Sequence, residues 1–382
     1  MKRRQYSLWL ALFATLLLVG APICLFSARM AQAARNRRLI AAIKHNDTSE
    51  VLDLLAYSAD ANTREPDPTQ SPLWHRFLDW LSGKPLAAQK GRSALEVALN
   101  THLVNYGDPH PLTDATILKA LINHGANVNL RYQDEYGNEC TPLIQVIWLL
   151  AFGTRGSETT QYMELASLLL KKGANPNGSS HPDATPLSNA CCGDVELVRE
   201  LLDYGADIHQ RDGFDHTPLE TAIDQDDGPV IAFLLDRNAD ARPASHDGDQ
   251  DPILRAAEFG NAASVQALLA HGADVNTQNS DGRTALIYTA NDSPDVRFEA
   301  QCCKTARLLL AHGAKIDLRN SDGSTALFLA VQYSHLELVA LLLNKGAKVN
   351  IRNRYGKTAL DYNRGDKAVE IAKLLRQHRA KE

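Results

Sequence analysis

The chain has little cysteine, and its cysteines do not form a framework. Six occur in 382 residues, and the five beyond residue 26 include two vicinal pairs, at 191–192 and 302–303. Disulfide-stapled secreted domains instead carry an even number of cysteines at regular spacings. The odd count and the irregular spacing exclude a fold that depends on disulfide bonds.

Basic charge is scarce over most of the chain. Seven basic residues and no acidic residue lie within residues 1–38, so the remainder holds 33 Lys and Arg against 45 Asp and Glu, a net charge of −12. A protein that binds phosphate backbones needs clustered cations, because binding is driven by the release of counterions. The acidic body therefore argues against nucleic acid as a partner.

Motifs for catalysis are also missing. The sequence contains no phosphate-binding loop, nucleophile elbow or paired metal-ligand motif. His124, His271 and His312 each precede a Gly-Ala pair, but neighbouring helices lie about 8–10 Å apart, whereas zinc ligands lie about 2 Å from one ion. We interpret these histidines as helix-end residues. The sequence predicts a protein that is not an enzyme and uses no metal, no cofactor and no small-molecule substrate.

An uncharged apolar run of 19 residues, 8–26, lies near the N-terminus. As a helix it would rise roughly 28 Å, enough to span the hydrocarbon core of a bilayer. We expect a basic tail over 1–7, a single transmembrane helix over 8–26 and a basic linker over 27–38. Basic residues flank the run on both sides, so the membrane side of the remaining chain stays open.

A cleaved signal peptide is the alternative interpretation of the same run. Residues 31–33 read Ala-Gln-Ala, a small-x-small pattern that signal peptidase prefers. The run is longer than the usual signal core of about 7–15 residues, and Arg29 lies between the run and the cleavage pattern. These features favour a retained anchor. An exported soluble binding protein is the second hypothesis.

A Gly-Ala pair recurs along the rest of the chain. It occurs at 125, 173, 205, 272, 313 and 346, and degenerate copies begin at 58 and 238. From position 173 onward, the steps are 32, 33, 34, 41 and 33 residues. A fixed period near 33 residues indicates one structural unit that is repeated.

Each repeated unit has the signals of two helices and a turn. A Thr-Pro-Leu opening, as at 185–187, places a capping hydroxyl before a proline at the first helical position. A second helical pattern ends at the recurring glycine, which favours the left-handed conformation that closes a helix. A polar turn such as 279–282 then predicts a hairpin.

This combination closely resembles the ankyrin repeat, over about residues 36–378. The resemblance implies an all-α solenoid of about nine helix-turn-helix units with hairpin loops over 39–378, preceded by one transmembrane helix. The chain departs from the family pattern in the same way in seven units. The histidine that follows the opening in the family is replaced here by Ile144, Ser188, Glu220, Leu254, Ile287, Phe328 and Asp361. Because that histidine ties neighbouring hairpins together in the family, we expect a less rigid array.

The resemblance also implies a function, which is to hold another protein on a concave surface. Such a protein would be a membrane-tethered scaffold. The family's contact positions fall here on hairpin tips and on the first helices. At the tips they are Tyr136, Phe214, His216, Arg283, Arg354, Tyr355 and Lys357, and on the first helices they are Phe259 and Tyr333.

Insertions interrupt the period at 66–90, 101–113, 151–162, 241–250 and 291–300, and we expect them to form projecting loops. The first has aromatic residues at helical spacing, including Trp74, Phe77 and Trp80. Aromatic clusters are typical of binding hot spots. They are also typical of helices that pack against a core, and both interpretations remain open.

Overall fold

The computed structural model describes residues 21–65, 91–101, 115–133, 139–152, 157–178, 184–241, 251–290, 296–365 and 367–380. The chain divides into two compact units, Met1–His181 and Pro182–Glu382. In its described residues, each unit is built from helices that pair along the sequence, with almost no strand. The array of paired helices that the sequence predicts is therefore confirmed.

The first unit contains six helices and one short hairpin among its described residues. The helices are α1 Ala21–Lys44, α2 Thr48–Ala56, α3 Ala94–Thr101, α4 Ala115–Asn123, α5 Pro142–Phe152 and α6 Ser157–Lys171. Strands β1 (Tyr132–Gln133) and β2 (Glu139–Cys140) pair antiparallel, with Tyr132 opposite Cys140. This pair lies in one of the polar turns that the sequence predicts to be hairpins.

The second unit alternates short and longer helices. Its described elements are α7 Pro186–Ala190, α8 Val195–Asp203, α9 Pro218–Asp224, α10 Gly228–Asp236, α11 Pro252–Glu258, α12 Ala262–Ala270, α13 Ala285–Tyr288, α14 Val296–Ala311, α15 Ala326–Gln332, α16 Leu336–Asn344, a 3₁₀ turn Leu360–Tyr362 and α17 Ala368–Gln377. We call the first helix of each repeat the inner helix and the second the outer helix.

The predicted caps begin the inner helices. Thr217 Oγ1 accepts from the amide of Glu220 at 3.3 Å, and Glu220 returns the bond by accepting from the amide of Thr217 at 2.6 Å. Thr185 and Ser188 form the same reciprocal capping box. Ser188 and Glu220 occupy two of the positions where the family has its histidine. Each of them therefore caps the N-terminus of its own helix.

The outer helices end where the sequence predicts. Gly205, Gly272 and Gly346 have φ values of 90°, 88° and 89°, the left-handed region that glycine adopts without strain. The degenerate copies take the same conformation, with φ values of 65° at Ser58 and 66° at Asn238. The repeated unit thus persists where the glycine is lost.

The core lies between inner and outer helices of successive repeats. Outer helix α8 buries Leu197, Val198 and Leu201, and inner helix α9 is buried along most of its length. Small residues on the inner helices allow this close packing. The apolar periodicity of the sequence correctly identifies the buried face.

Two expectations about the loops differ from the structure. Residues 157–162 belong to α6, where Tyr162 is only 2 % exposed, and residues 296–300 belong to α14. These parts of the insertions lengthen outer helices instead of forming loops, because the added residues continue the helical pattern. A break in the repeat period therefore marks a longer helix at these two places.

The basic linker predicted for 27–38 is helical. It belongs to α1, which continues to Lys44 and buries Leu39 and Ile43 in the first unit. Residues 8–20 of the predicted anchor lie outside the described part of the chain. Among the residues that the structure describes, no helix combines the length and the apolar character needed to cross a bilayer.

Candidate protein-binding surface

Three successive hairpins of the second unit are joined by their backbones. We call residues 278–283, 319–324 and 352–357 the hairpin row. The amide of Ser321 donates to the carbonyl of Asp281 at 2.7 Å, and the amide of Arg354 donates to the carbonyl of Asp322 at 2.8 Å. These bonds repeat at equivalent places, so they fix the spacing of the hairpins.

An asparagine closes each turn of the row from within. Asn279 Oδ1 accepts from the amide four residues later at 2.8 Å, and Asn320 and Asn353 do the same at 2.8 and 3.0 Å. Side-chain amides of this kind stabilise tight turns by replacing a backbone acceptor.

The residue before each asparagine stabilises its hairpin through a hydrogen bond from its side chain. Gln278, Arg319 and Arg352 each donate from the side chain to the carbonyl of the residue four positions later. Arg319 also donates to the carbonyl of Arg352 in the next hairpin at 2.6 Å. The row therefore presents its tip side chains from a backbone that is held at several points.

The last hairpin of the row carries exposed side chains at its tip. Tyr355 is 60 % exposed, and Lys357 is exposed as well. The guanidinium carbon of Arg354 lies 4.8 Å from the centre of the Tyr355 ring, and its Nη2 lies 2.9 Å from Asp322 Oδ1. All three sequence-predicted residues lie together at this tip.

The other tip residues are less uniform. Phe214 is 65 % exposed, and its ring centre lies 6.2 Å from that of His216, which is half-buried. Arg283 is also half-buried, with its guanidinium 5.6 Å from the ring centre of Tyr288. The side chain of Arg283 therefore packs against an inner-helix residue of its own repeat.

Phe259 and Tyr333 occupy equivalent places at the C-terminal ends of inner helices α11 and α15. Each is the residue that caps its helix, so the sequence alignment of the two positions is correct. Phe259 is 44 % exposed, while Tyr333 is half-buried and lies 6.5 Å from the ring of His335. We call the hairpin row together with these helix ends the hairpin face. Tyr136, Trp74, Phe77 and Trp80 lie outside the described residues.

The recurring histidines close the ends of outer helices. Nδ1 of His124, His271 and His312 lies 2.9, 2.9 and 3.0 Å from the carbonyl four residues earlier. The same carbonyl also accepts from the backbone amide of the histidine, so the ring adds a second contact at the end of the helix. Within the described parts of the chain, His, Cys, Asp and Glu side chains form no group of three or more that could hold a metal.

The buried cysteines are poor nucleophiles. Burial raises the pKa of Cys302 to about 12 and the pKa of Cys303 to about 11. The thiolate is the reactive form, so these thiols are unreactive near neutral pH. Their place in α14 is that of core residues.

Two polar contacts between repeats are not predicted from the sequence. Arg255 of inner helix α11 forms a two-pronged pair with Asp224 of α9, where both side chains are mostly covered. Glu299 of α14 is 6 % exposed and accepts from the amide of Glu337, at the start of α16, at 3.0 Å. Asp224 and Arg255 carry opposite charges about one period apart in the sequence. That spacing is the signal from which the contact between them could have been predicted.

Comparisons with known proteins agree with this geometry. A family model described as ankyrin repeats (3 copies) matches residues 157–245, 222–298, 252–353 and 296–382, more than half of the chain. The structure resembles the ankyrin repeat domain of human ASB11, with a TM-score of 0.53 at 22% identity, over 64% of this chain and all of that domain. The chain belongs to the ankyrin repeat family.

Curated relatives share only part of their length with the chain. An ankyrin repeat domain-containing protein, SAT10, of Stachybotrys chartarum is 36% identical over 134 residues, which is 33% of this chain and 7% of the relative. The mouse ankyrin repeat, SAM and basic leucine zipper domain-containing protein 1 is 36% identical over 106 residues, 26% of this chain and 22% of the relative. Ankyrin repeats are typical protein-interaction modules and are generally not enzymatic.

Proposed function

We propose that the chain is a membrane-tethered scaffold that holds another protein on the hairpin face of its ankyrin repeats. The observation that supports this most strongly is the hairpin row, which presents Arg354, Tyr355 and Lys357 from a fixed backbone. Tyr and Arg are enriched at binding hot spots, and a surface that is already ordered loses less entropy on binding. The face therefore has both the residue types and the rigidity of a protein-binding surface.

Phe259 and Tyr333 add a second set of contacts to the proposed surface. Their equivalent places lie two repeats apart, which corresponds to roughly 20 Å at about 10 Å per packed layer. One extended segment of a partner would reach both. The aromatic insertion with Trp74, Phe77 and Trp80 is the rival location for the same partner.

In-cell crosslinking followed by mass spectrometry identifies the partner, and its affinity is then measured for variants of the full chain. We expect Phe259→Ala and Tyr333→Ala each to weaken binding by roughly 2 kcal/mol while folding is retained, because both residues lie outside the core. His312→Ala is the control, since His312 closes an outer helix. Unchanged affinity for both aromatic variants, with a loss on deletion of 74–80, would place the site in the insertion.

The tether is proposed to be the retained segment 8–26. One contact beside the candidate cleavage pattern supports retention: Gln32 Nε2 donates to the carbonyl of Ser58 at 2.8 Å. Cleavage after Ala33 would divide α1 and remove this contact. The alternative is an exported soluble binding protein.

Cell fractionation tests the tether. We expect the full-length chain in membranes that resist carbonate washing, because an apolar helix of this length leaves the bilayer only at a large free-energy cost. The matched control is a chain that lacks residues 1–26, which we expect in the soluble fraction. Recovery of a soluble chain that begins near Ala34 from cells expressing the full sequence would contradict the tether.

A further inference from the structure

The last hairpin of the row reverses the charge of its tip. Residues 279–283 read Asn-Ser-Asp-Gly-Arg, residues 320–324 read Asn-Ser-Asp-Gly-Ser, and residues 353–357 read Asn-Arg-Tyr-Gly-Lys. All three turns have a glycine at the fourth place with φ between 69° and 76°. Because the backbones are equivalent, Arg354 and Tyr355 stand where the earlier tips have Ser and Asp.

The surroundings of this tip are basic in an otherwise acidic chain. Residues 351–382 hold nine Lys and Arg against four Asp and Glu, whereas the whole chain has a net charge of −5. Arg352, Lys357 and Arg364 are exposed, as is Arg354. Screening limits charge effects to about 8–10 Å in physiological salt, so this local cluster decides which charges are attracted to the tip.

The nearby carboxylates are already engaged. Asp361 accepts from the amide of Thr358 at 2.7 Å and from its hydroxyl at 3.0 Å, and these bonds hold the pKa of Asp361 below its usual value. Asp322 pairs with Nη2 of Arg354. Nη2 also donates to the Tyr355 hydroxyl, so neither bond uses Nε or Nη1 of the guanidinium.

We propose that Arg352, Arg354, Tyr355 and Lys357 bind an acidic segment of a protein partner. Aspartate or glutamate side chains of that segment would pair with the guanidinium and ammonium groups, and an apolar neighbour would cover the ring of Tyr355. Arginine suits this role because its fixed fork matches a carboxylate. The inference rests on the proposed function and names the chemistry of the partner at one end of the hairpin face.

A pair of labelled peptides tests the proposal with the full-length protein. One is a fluorescein-labelled peptide of about 12 residues, rich in Asp and Glu around a central Phe, and the other replaces each acid by its amide. We expect the acidic peptide to bind at least about tenfold more tightly at about 50 mM salt, and the difference to shrink at about 0.5 M salt because exposed charges are screened.

Matched charge reversals locate the site. Arg354→Glu with Lys357→Glu should weaken binding of the acidic peptide at least about tenfold, and the milder Arg354→Gln with Lys357→Gln should give a smaller loss. Lys304→Glu with Lys345→Glu changes the net charge equally on exposed residues within α14 and at the end of α16, outside the basic segment. We expect less than about a twofold change for this control. Circular dichroism of each variant checks that the helices are intact.

Several results would overturn the proposal. They are equal affinity for the two peptides, equal losses for the tip and control reversals, or no binding of the acidic peptide at low salt. Tighter binding of a single-stranded oligonucleotide or of phosphatidylserine vesicles, lost in the tip variant, would assign the tip to another class of ligand. If the crosslinked partner is lost by Phe259→Ala but kept by the tip reversal, the proposed function stands and the acidic-partner inference is wrong.

Discussion

At the start of inner helix α11, an aspartate stands where neighbouring repeats have a threonine. Asp251 is 4 % exposed, and its Oδ1 accepts from the amide of Ile253 at 3.0 Å. Burial raises the pKa of Asp251 from 3.8 to about 6, although the bond from Ile253 opposes that shift. The cap is therefore in place, but its charge is unfavourable in the folded protein.

This raised pKa predicts how one substitution changes the pH dependence of stability. The folded state holds the Asp251 proton more tightly than the unfolded state, so stability falls as pH rises from about 4 to about 6 and stays lower above that window. Asp251→Asn keeps a capping oxygen without the charge. We expect it to be more stable than the natural chain by about 2–3 kcal/mol at pH 7.5, with the gain vanishing near pH 4. Denaturant unfolding across this range measures the difference, and a gain that does not depend on pH would rule out the buried charge as its cause.

At the scale of the element, outer helix α8 buries apolar residues along one face. Leu201 of α8 is fully buried, whereas its neighbour Leu202 is half-buried. The two leucines therefore offer a matched pair within one helix. Their difference isolates packing from helix propensity, which is the same for both.

We expect Leu201→Ala to lower the free energy of unfolding by roughly 2–5 kcal/mol, because it leaves a cavity between packed helices. Leu202→Ala should lower it by about 1 kcal/mol, since less of that side chain is covered. Urea unfolding of the two variants provides the comparison. Equal losses would show that helix α8 does not pack as described.

How much the sequence predicts depends on how local the interaction is. The caps at Thr185 and Thr217 and the helix end at Gly205 follow from residues within one turn, so the sequence identifies them correctly. The contacts of Glu299 with Glu337 and of Arg255 with Asp224 join residues 38 and 31 positions apart, and depend on how repeats stack. A repeat pattern indicates that units stack but does not place individual side chains.

The candidate binding surface also has features that the sequence predicts and features that it does not. Repeat alignment correctly places Phe259 and Tyr333 at equivalent helix ends, because both lie at a fixed distance from the inner-helix cap. It does not predict that Arg283 and Tyr333 are half-buried, since exposure is set by neighbouring side chains. It also treats 157–162 as a loop, although that segment is helical.

At the scale of the whole molecule, the central claim is that the hairpin face binds a protein partner. Binding there would cover the hairpins but leave the outer helices in contact with solvent. Amide hydrogen exchange resolves these two surfaces, because protection follows burial and local opening of each segment. The measurement requires the partner identified by crosslinking and the full-length chain.

Hydrogen exchange of the chain, compared with and without that partner, tests the claim most directly. We predict added protection in residues 278–283, 319–324 and 352–357 and at the C-terminal ends of α11 and α15, because a bound partner would cover these segments. Outer helices α10, α12 and α16 should exchange at unchanged rates. Protection confined to the outer helices or to residues 66–90, with unchanged exchange in the hairpin row, would contradict binding at the hairpin face.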